Sequence, residues 1–288
     1  MSINGCTRTC GLIGNPVEHT MSPAIHNTLA GAMGQNLVYV PFHVQPELVG
    51  KAVEGAYALN LLGCNVTVPY KSQVIPYLKE IDPLAERIGA VNTLVRTEGG
   101  FKGYNTDMPG LARALKADGI ETAGEKVLIL GAGGVARAVA FMLAETASEI
   151  LIMNRTVEKA REIADEVNAA AGSKIAGALS VSDYGKLSAG RRYLAIQATN
   201  VGMFPRVDEA VIEDRDFYKR IHTGYDLIFN PVRTRFMELT REAGGKACNG
   251  LKMLLYQGVI AYELWTGTRV TKDMEEQAYR ALKQAMKV

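Results

Sequence analysis

The chemistry in this sequence is concentrated in a glycine turn, a following arginine, and a lysine and an aspartate that lie far apart. Gly131-Ala132-Gly133-Gly134-Val135-Ala136 follows the apolar run Lys126–Leu130 and precedes a helical pattern. Gly131, Gly133 and Ala136 fit the spacing in which one glycine makes a tight turn, a second admits a pyrophosphate, and a small third residue keeps helix and strand close. The first amides of the helix then meet phosphate with the positive end of the helix dipole. Alone such a turn is weak evidence, since it also serves as plain packing. Its setting strengthens it, because a second apolar run, Glu149–Met153, ends in Asn154-Arg155-Thr156 with no carboxylate. A ribose 2′-hydroxyl would call for Asp or Glu there. Arg155, with Lys159 one helical turn on, suits a 2′-phosphate instead, so the expected cofactor is NADP (NADPH).

Four further segments carry polar residues where strands should end. They are Gly14 to Pro23 with Thr20 and Ser22, Asn65 to Lys71 with Thr67, Gly89 to Thr93 with Asn92, and Gly103 to Asp107. Loops beyond the carboxyl ends of parallel strands gather ligands. Lys71 and Asp107 could form an acid/base pair, the ammonium giving a proton to oxygen as hydride reaches carbon. On spacing alone, Lys71 fits a solvated helix residue and Asp107 a helix N-cap better. Capping also explains at least one of Thr20 and Ser22, although two hydroxyls at a helix start make a carboxylate seat. His19 and His26 are expected to make structural hydrogen bonds.

The elements that must position these residues alternate in type. Cys10–Gly14, Leu37–His43 and Leu61–Val68 read as strands, with helices over Pro23–Ala32 and Pro46–Ala58 between them, which predicts a parallel sheet. Thr93–Arg96 and Phe101–Tyr104 flank the hairpin turn Thr97-Glu98-Gly99-Gly100. Asp107 is expected to cap a helix over Pro109–Asp118. Beyond it come strand Lys126–Leu130, helix Val135–Ala144, strand Glu149–Met153, helix Val157–Ala170, strands Tyr193–Gln197 and Tyr225–Phe229, and helices near Gly250–Thr266 and Thr271–Lys287. The change of pattern after Asp107 marks a domain boundary.

The 288 residues suit two modest domains. With 48% hydrophobic and 22% charged residues the composition is globular, and a net charge of +2 without a basic tract disfavours nucleic acid or an acidic membrane surface as partner. No apolar run reaches membrane-spanning length, and Met1-Ser2-Ile3-Asn4-Gly5-Cys6 lacks a secretory build. The scattered cysteines, Cys6, Cys10, Cys64 and Cys248, read as free thiols of a cytoplasmic protein. Cys6 and Cys10 have no second pair to complete a zinc site, so no metal is expected.

Together these segments resemble the shikimate dehydrogenases over nearly the whole chain. The likeness runs from Gly14-Asn15-Pro16, Ser22-Pro23 and Ile25-His26-Asn27, through the Asn65–Lys71, Gly89–Thr93 and Gly103–Asp107 segments, the glycine turn and Asn154-Arg155-Thr156, to Asn249-Gly250 and Gln257. The resemblance implies reversible reduction of 3-dehydroshikimate to shikimate by NADPH in aromatic amino-acid biosynthesis. It implies Lys71 and Asp107 as the catalytic pair, Thr67, Asn92 and Gln257 as holders of ring hydroxyls, and Thr20 and Ser22 as the carboxylate seat. It also implies nucleotide contacts at Gly131–Ala136, Asn154, Arg155, Thr156 and Lys159, with Thr199, Leu227, Gly250 and Met253 at the nicotinamide end. The implied fold is α/β in two domains. A substrate-binding domain of residues 1–107, completed by helices of 251–288, would carry an inserted Rossmann-like NADP domain of 108–250 with a parallel sheet. Thr20 stands where many members have Ser, and Phe229 where they usually have Tyr; the lost hydroxyl removes about 1 kcal/mol of net hydrogen bonding if nothing replaces it. A paralogue preferring quinate, often with NAD, and a non-catalytic NADP-binding sensor are the competing readings. The expected partner is a small-molecule substrate, with a homodimer allowed.

Overall fold

The computed structural model describes residues 3–188, 190 and 192–287; Met1, Ser2, Ala189, Arg191 and Val288 lie outside the described residues. The chain forms two compact units, residues 1–113 with 254–288, and residues 114–253.

The first unit begins with β1 (Arg8–Gly14), α1 (Ser22–Ala32), β2 (Leu37–His43), α2 (Val49–Ala58) and β3 (Gly63–Val66). It continues with β4 (Glu80–Ile81), α3 (Pro83–Ile88), β5 (Thr93–Thr97), β6 (Gly100–Tyr104) and α4 (Asp107–Ala117), whose last residues belong to the second unit. The sheet order is β2-β1-β3-β5-β6-β4. It is mixed: β1 runs parallel to β2 and β3, as the early alternation predicts, while β5 is antiparallel to β6, as the hairpin turn predicts, and also to β3. The β5–β6 reversal is made by the Glu98-Gly99 turn, with Gly99 at φ +79°, which returns the chain beside its own strand. Ile13, Val53, Cys64, Val66, Leu94 and Phe101 lie in a buried core.

The second unit holds β7 (Lys126–Leu130), α5 (Gly134–Leu143), β8 (Glu149–Asn154), α6 (Val157–Ala171), β9 (Ala176–Ser180), β10 (Tyr193–Gln197), α7 (Arg215–Tyr218), β11 (Ile221–Asp226), α8 (Arg235–Glu242) and β12 (Lys246–Cys248). All pairings in its sheet, ordered β12-β11-β10-β7-β8-β9, are parallel. The chain leaves β7 outward through β8 and β9, then returns to the other flank of β7 as β10. That reversal leaves a crevice at the carboxyl ends of β7 and β10. Two helices end the chain, α9 (Leu251–Thr266) and α10 (Lys272–Ala285).

One strand is displaced from its expected place. Tyr225–Phe229 has the apolar pattern, but the strand is Ile221–Asp226. His222, Thr223 and Gly224 hide its first half. Gly224 is needed there, since a Cβ would stand 2.9 Å from the Phe236 ring. The strand stops because the Asp226 carboxylate accepts from the Ile228 amide at 3.0 Å and the Thr234 hydroxyl at 2.6 Å.

Candidate functional site

In the first unit, Lys71 and Asp107 meet although 36 residues separate them: Lys71 Nζ donates to Asp107 Oδ2 at 2.7 Å. The side chains keep 30% and 18% of their exposure, so the pair is sheltered yet reachable by a small molecule. Asp107 does not cap α4, as its sequence position suggested. Asn105 does, its Oδ1 accepting from the amides of Asp107 at 3.1 Å and Met108 at 3.3 Å. A single side chain thus takes the orphan amides and leaves the neighbouring carboxylate free for Lys71. The Lys71 carbonyl is in turn held by the Val91 amide at 2.7 Å, which ties the lysine to the segment carrying Asn92.

Asn92 is buried, and its Oδ1 accepts from the Thr106 amide at 2.7 Å. Thr67 is half-buried, with its amide on the Ile13 carbonyl at the end of β1. Thr20 lies just ahead of α1 and its Oγ1 accepts from the Ser22 amide at 3.2 Å, so Thr20 supplies the capping. Ser22 is buried in the first turn. Gln257 is buried on α9, where its Nε2 donates to the Leu254 carbonyl at 2.8 Å. His26 departs from expectation. It is wholly buried and stacked on Tyr39 with centroids 4.2 Å apart, and neither ring nitrogen has a well-formed hydrogen bond among the described residues. Burial holds its pKa down at about 3, the nearby Asn65 amide pulling the other way. His19 is exposed.

In the second unit the glycine turn joins β7 to α5. Gly131 has φ +118° and packs against Thr199 and the Ala198 carbonyl, a conformation and a closeness that only glycine tolerates. Gly133 is the extended N-cap of α5 and gives no side chain to the free amides. A Cβ at Gly133 or Gly134 would meet nothing within 4 Å, so the backbone there lies open to approach. Ala136 is fully buried; Val135 is exposed.

A cavity of about 620 Å³ lies over this turn. Gly131, Ala132, Gly133, Asn154, Arg155, Thr156, Lys159 and Thr199 are among the residues that line it. Asn154 Nδ2 donates to the Thr156 carbonyl at 2.9 Å, which shapes the turn carrying Arg155. Arg155, Thr156 and Lys159 are exposed. Leu227, Gly250 and Met253 lie outside the lining; Gly250 packs on the Leu227 backbone so tightly that a Cβ would stand 2.2 Å from its carbonyl oxygen. Phe229 is half-buried in the loop after β11. Open amides at a helix start, two exposed cations after β8 and no carboxylate in the strand-end segment Asn154-Arg155-Thr156 fit a phosphorylated dinucleotide.

A third cation, which no local pattern in the sequence marks, borders this cavity. Arg206 lines the same cavity, along with Glu209, from which it stands 3.8 Å. The polar run Thr199-Asn200 after a strand marks only the loop; the return of Arg206 to the turn depends on the path of that loop. Equally unmarked is the knot between β10 and β11. Gln197 Nε2 donates to Asp226 Oδ1 at 3.3 Å, and Gln197 Oε1 accepts from the Thr199 amide at 2.5 Å. Asp226 is fully buried, and burial raises its pKa to about 6 against the pull of its three donors.

Comparison with known proteins agrees along the chain. Residues 12–94 match the shikimate dehydrogenase substrate binding domain, 112–184 the shikimate/quinate 5-dehydrogenase family, and 250–283 the shikimate 5′-dehydrogenase C-terminal domain. The chain is 42% identical to the shikimate dehydrogenase (NADP(+)) of Carboxydothermus hydrogenoformans over 93% of this chain and 94% of that one. The crystal structure of shikimate 5-dehydrogenase from Listeria monocytogenes, in complex with shikimate and NAD, is similar with a TM-score of 0.86 at 34% identity, covering 96% of this chain and 97% of that one. The enzyme from Thermus thermophilus, in complex with NADP(H) and shikimate, gives 0.82 at 34% identity, covering 96% and 100%. The chain with the sheltered Lys71–Asp107 pair and the open glycine turn therefore belongs to the shikimate dehydrogenase family.

Proposed function

We propose that this protein is an NADP-dependent shikimate dehydrogenase that reversibly reduces 3-dehydroshikimate to shikimate in aromatic amino-acid biosynthesis. The observation that carries the reading is the 2.7 Å contact between Lys71 and Asp107 at the head of α4. When bound, NADPH supplies the hydride. Lys71 gives its ammonium proton to the ketone oxygen as that oxygen becomes a hydroxyl, and takes it back in the reverse direction. Asp107 accepts the Lys71 hydrogen bond and aims its side chain. Thr67, Asn92 and Gln257 hold ring hydroxyls, and Thr20 and Ser22 seat the carboxylate. Gly131–Ala136 cradle the pyrophosphate; Asn154, Arg155, Thr156 and Lys159 hold the 2′-phosphate end. Thr199, Leu227, Gly250 and Met253 serve the nicotinamide end. In this reading residues 1–107 and 251–288 form the substrate domain and 108–250 the NADP domain.

Thr20 and Phe229 are the residues on which the choice between shikimate and quinate turns, because Phe229 offers no hydroxyl to a substrate. No helix among the described residues is long and apolar enough to cross a membrane, and the free thiols suit a cytoplasmic location. A homodimer is compatible with this reading and is read directly by light scattering. Steady-state assays with shikimate and quinate, each with NADP and NAD, test the proposal. NADP-linked shikimate oxidation is the expected result. NAD-linked quinate oxidation with negligible shikimate turnover would overturn it, as would NADP binding without turnover of either acid.

A further inference from the structure

The first unit buries an unusual set of polar side chains in one place. Asn65, Asn92, Thr93 and Thr106 are each no more than 4% exposed. Their hydrogen bonds run in one direction and start from a residue that no catalytic motif contains. The Tyr39 hydroxyl, on β2, donates to Asn65 Oδ1 at 2.9 Å. Asn65 Nδ2 donates to Thr93 Oγ1 at 3.1 Å and to the Asn92 carbonyl at 3.3 Å. Thr93 Oγ1 stands 3.2 Å from Asn92 Oδ1 and 3.1 Å from Thr106 Oγ1, which is itself 3.2 Å from Asn92 Oδ1. Hydrogen bonds aligned in this way reinforce one another in a low dielectric.

The far end of the chain of bonds sits beside the proposed chemistry. The Thr106 backbone amide donates to Asn92 at 2.7 Å. An amide N–H can only donate, so the Asn92 atom facing it is the carbonyl oxygen. That fixes the flip of the Asn92 side chain and leaves its NH2 without a protein partner among the described residues, ready for an external oxygen. The next residue after Thr106 is Asp107.

The near end is firmly set. Tyr39 is buried, its ring stacked on His26 and tilted against Trp265 with centroids 6.0 Å apart. Ser22 is the hydroxyl's other polar neighbour, and burial pushes the phenol well above its usual pKa, so it remains a donor. Removing the hydroxyl keeps the ring stack but frees Asn65 to reverse its amide.

We propose that the Tyr39 hydroxyl is a positioning group for the reaction, locking Asn65, Thr93 and Thr106 so that Asn92 presents its NH2 to substrate. The inference rests on the dehydrogenase reading above. A double-mutant cycle in kcat/KM for shikimate tests it, with Tyr39→Phe and Asn92→Ala made singly and together. Tyr39→Phe should lower kcat/KM about 10-fold or more in the wild-type background and less than about 2-fold beside Asn92→Ala, because both changes remove one coupled unit. NADPH titration should be unchanged, showing that the second unit is intact. Equal losses in both backgrounds, or a Tyr39→Phe loss under about 2-fold, would overturn the proposal. Where Tyr39→Phe does not fold, Thr93 carries the test: Thr93→Ser should retain kcat/KM and Thr93→Val lose it, and equal losses overturn the proposal. Wild-type protein that fails to oxidise shikimate defeats the dehydrogenase reading instead, so the two failures are distinct.

Discussion

Gly110 on α4 touches the backbone of Gln257 on α9: a Cβ on Gly110 would lie 2.7 Å from the Gln257 nitrogen and 3.0 Å from its Cα. The contact seats Gln257 next to the helix that begins at Asp107. Gly110→Ala gains about 1 kcal/mol of helix propensity. The clash is with backbone that cannot rotate away, and such overpacking costs about 1–3 kcal/mol. The clash prevails, so urea denaturation should show a net loss of stability, with a raised KM for the acid substrate. An unchanged midpoint would show that the two helices are not in contact at this point.

Lys71→Ala should cut turnover about 10²–10⁴-fold, the usual contribution of positioned acid–base groups, with a much smaller effect on KM. Steady-state kinetics with shikimate decides this. Near-normal kcat would reduce the Lys71–Asp107 contact to a structural ion pair.

Cofactor choice should follow the cations of the cavity. Arg155→Ala should weaken NADP about 10-fold or more, as expected for loss of a charge-assisted hydrogen bond of about 1.5–3 kcal/mol, and leave NAD nearly unchanged. Calorimetric titration with each nucleotide measures it. Equal weakening of both would place Arg155 away from the 2′-phosphate.

Asp226 should give stability an inverted pH slope. Its pKa rises on folding from 3.8 to about 6. Between those values the folded state keeps a proton that the unfolded chain has lost, so stability falls as pH rises through the window and is level above it. Asp226→Asn removes this contribution while leaving an acceptor for Ile228. Urea denaturation from about pH 4 to about pH 7 should show the wild type declining relative to the variant. Parallel curves would contradict the burial of a charge at this position.

His26 should act in the opposite sense. Its pKa falls on folding from 6.5 to about 3. Between these values only the unfolded chain takes up the proton, so the stability His26 confers is present above the unfolded value and is lost as pH falls. His26→Phe keeps the stack on Tyr39 and removes the titration. The variant should lose less stability than the wild type on acidification, by thermal or urea melts; equal acid sensitivity would show that His26 is reached by water.

Much of this protein is legible in its sequence because local rules write it. A turn needing positive φ must be glycine at Gly131, a helix start without a side chain exposes its amides at Gly133, and an arginine with no acid in Asn154-Arg155-Thr156 is the pattern that suits a phosphate. The motif segments around Lys71, Asn92 and Asp107 were also visible, and their order identified the family. Local rules misplaced β11, because His222-Thr223-Gly224 looks polar until Phe236 covers the glycine. They also assigned the cap of α4 to Asp107, when Asn105 two residues earlier takes the same amides. Only tertiary structure brings Lys71 within 2.7 Å of Asp107, returns Arg206 to the glycine turn, and places Tyr39 at the head of the network that orients Asn92. The reason is physical. Periodicity, turns and caps depend on neighbours along the chain. Meetings between distant side chains depend on sheet register and on where each buried donor finds its acceptor.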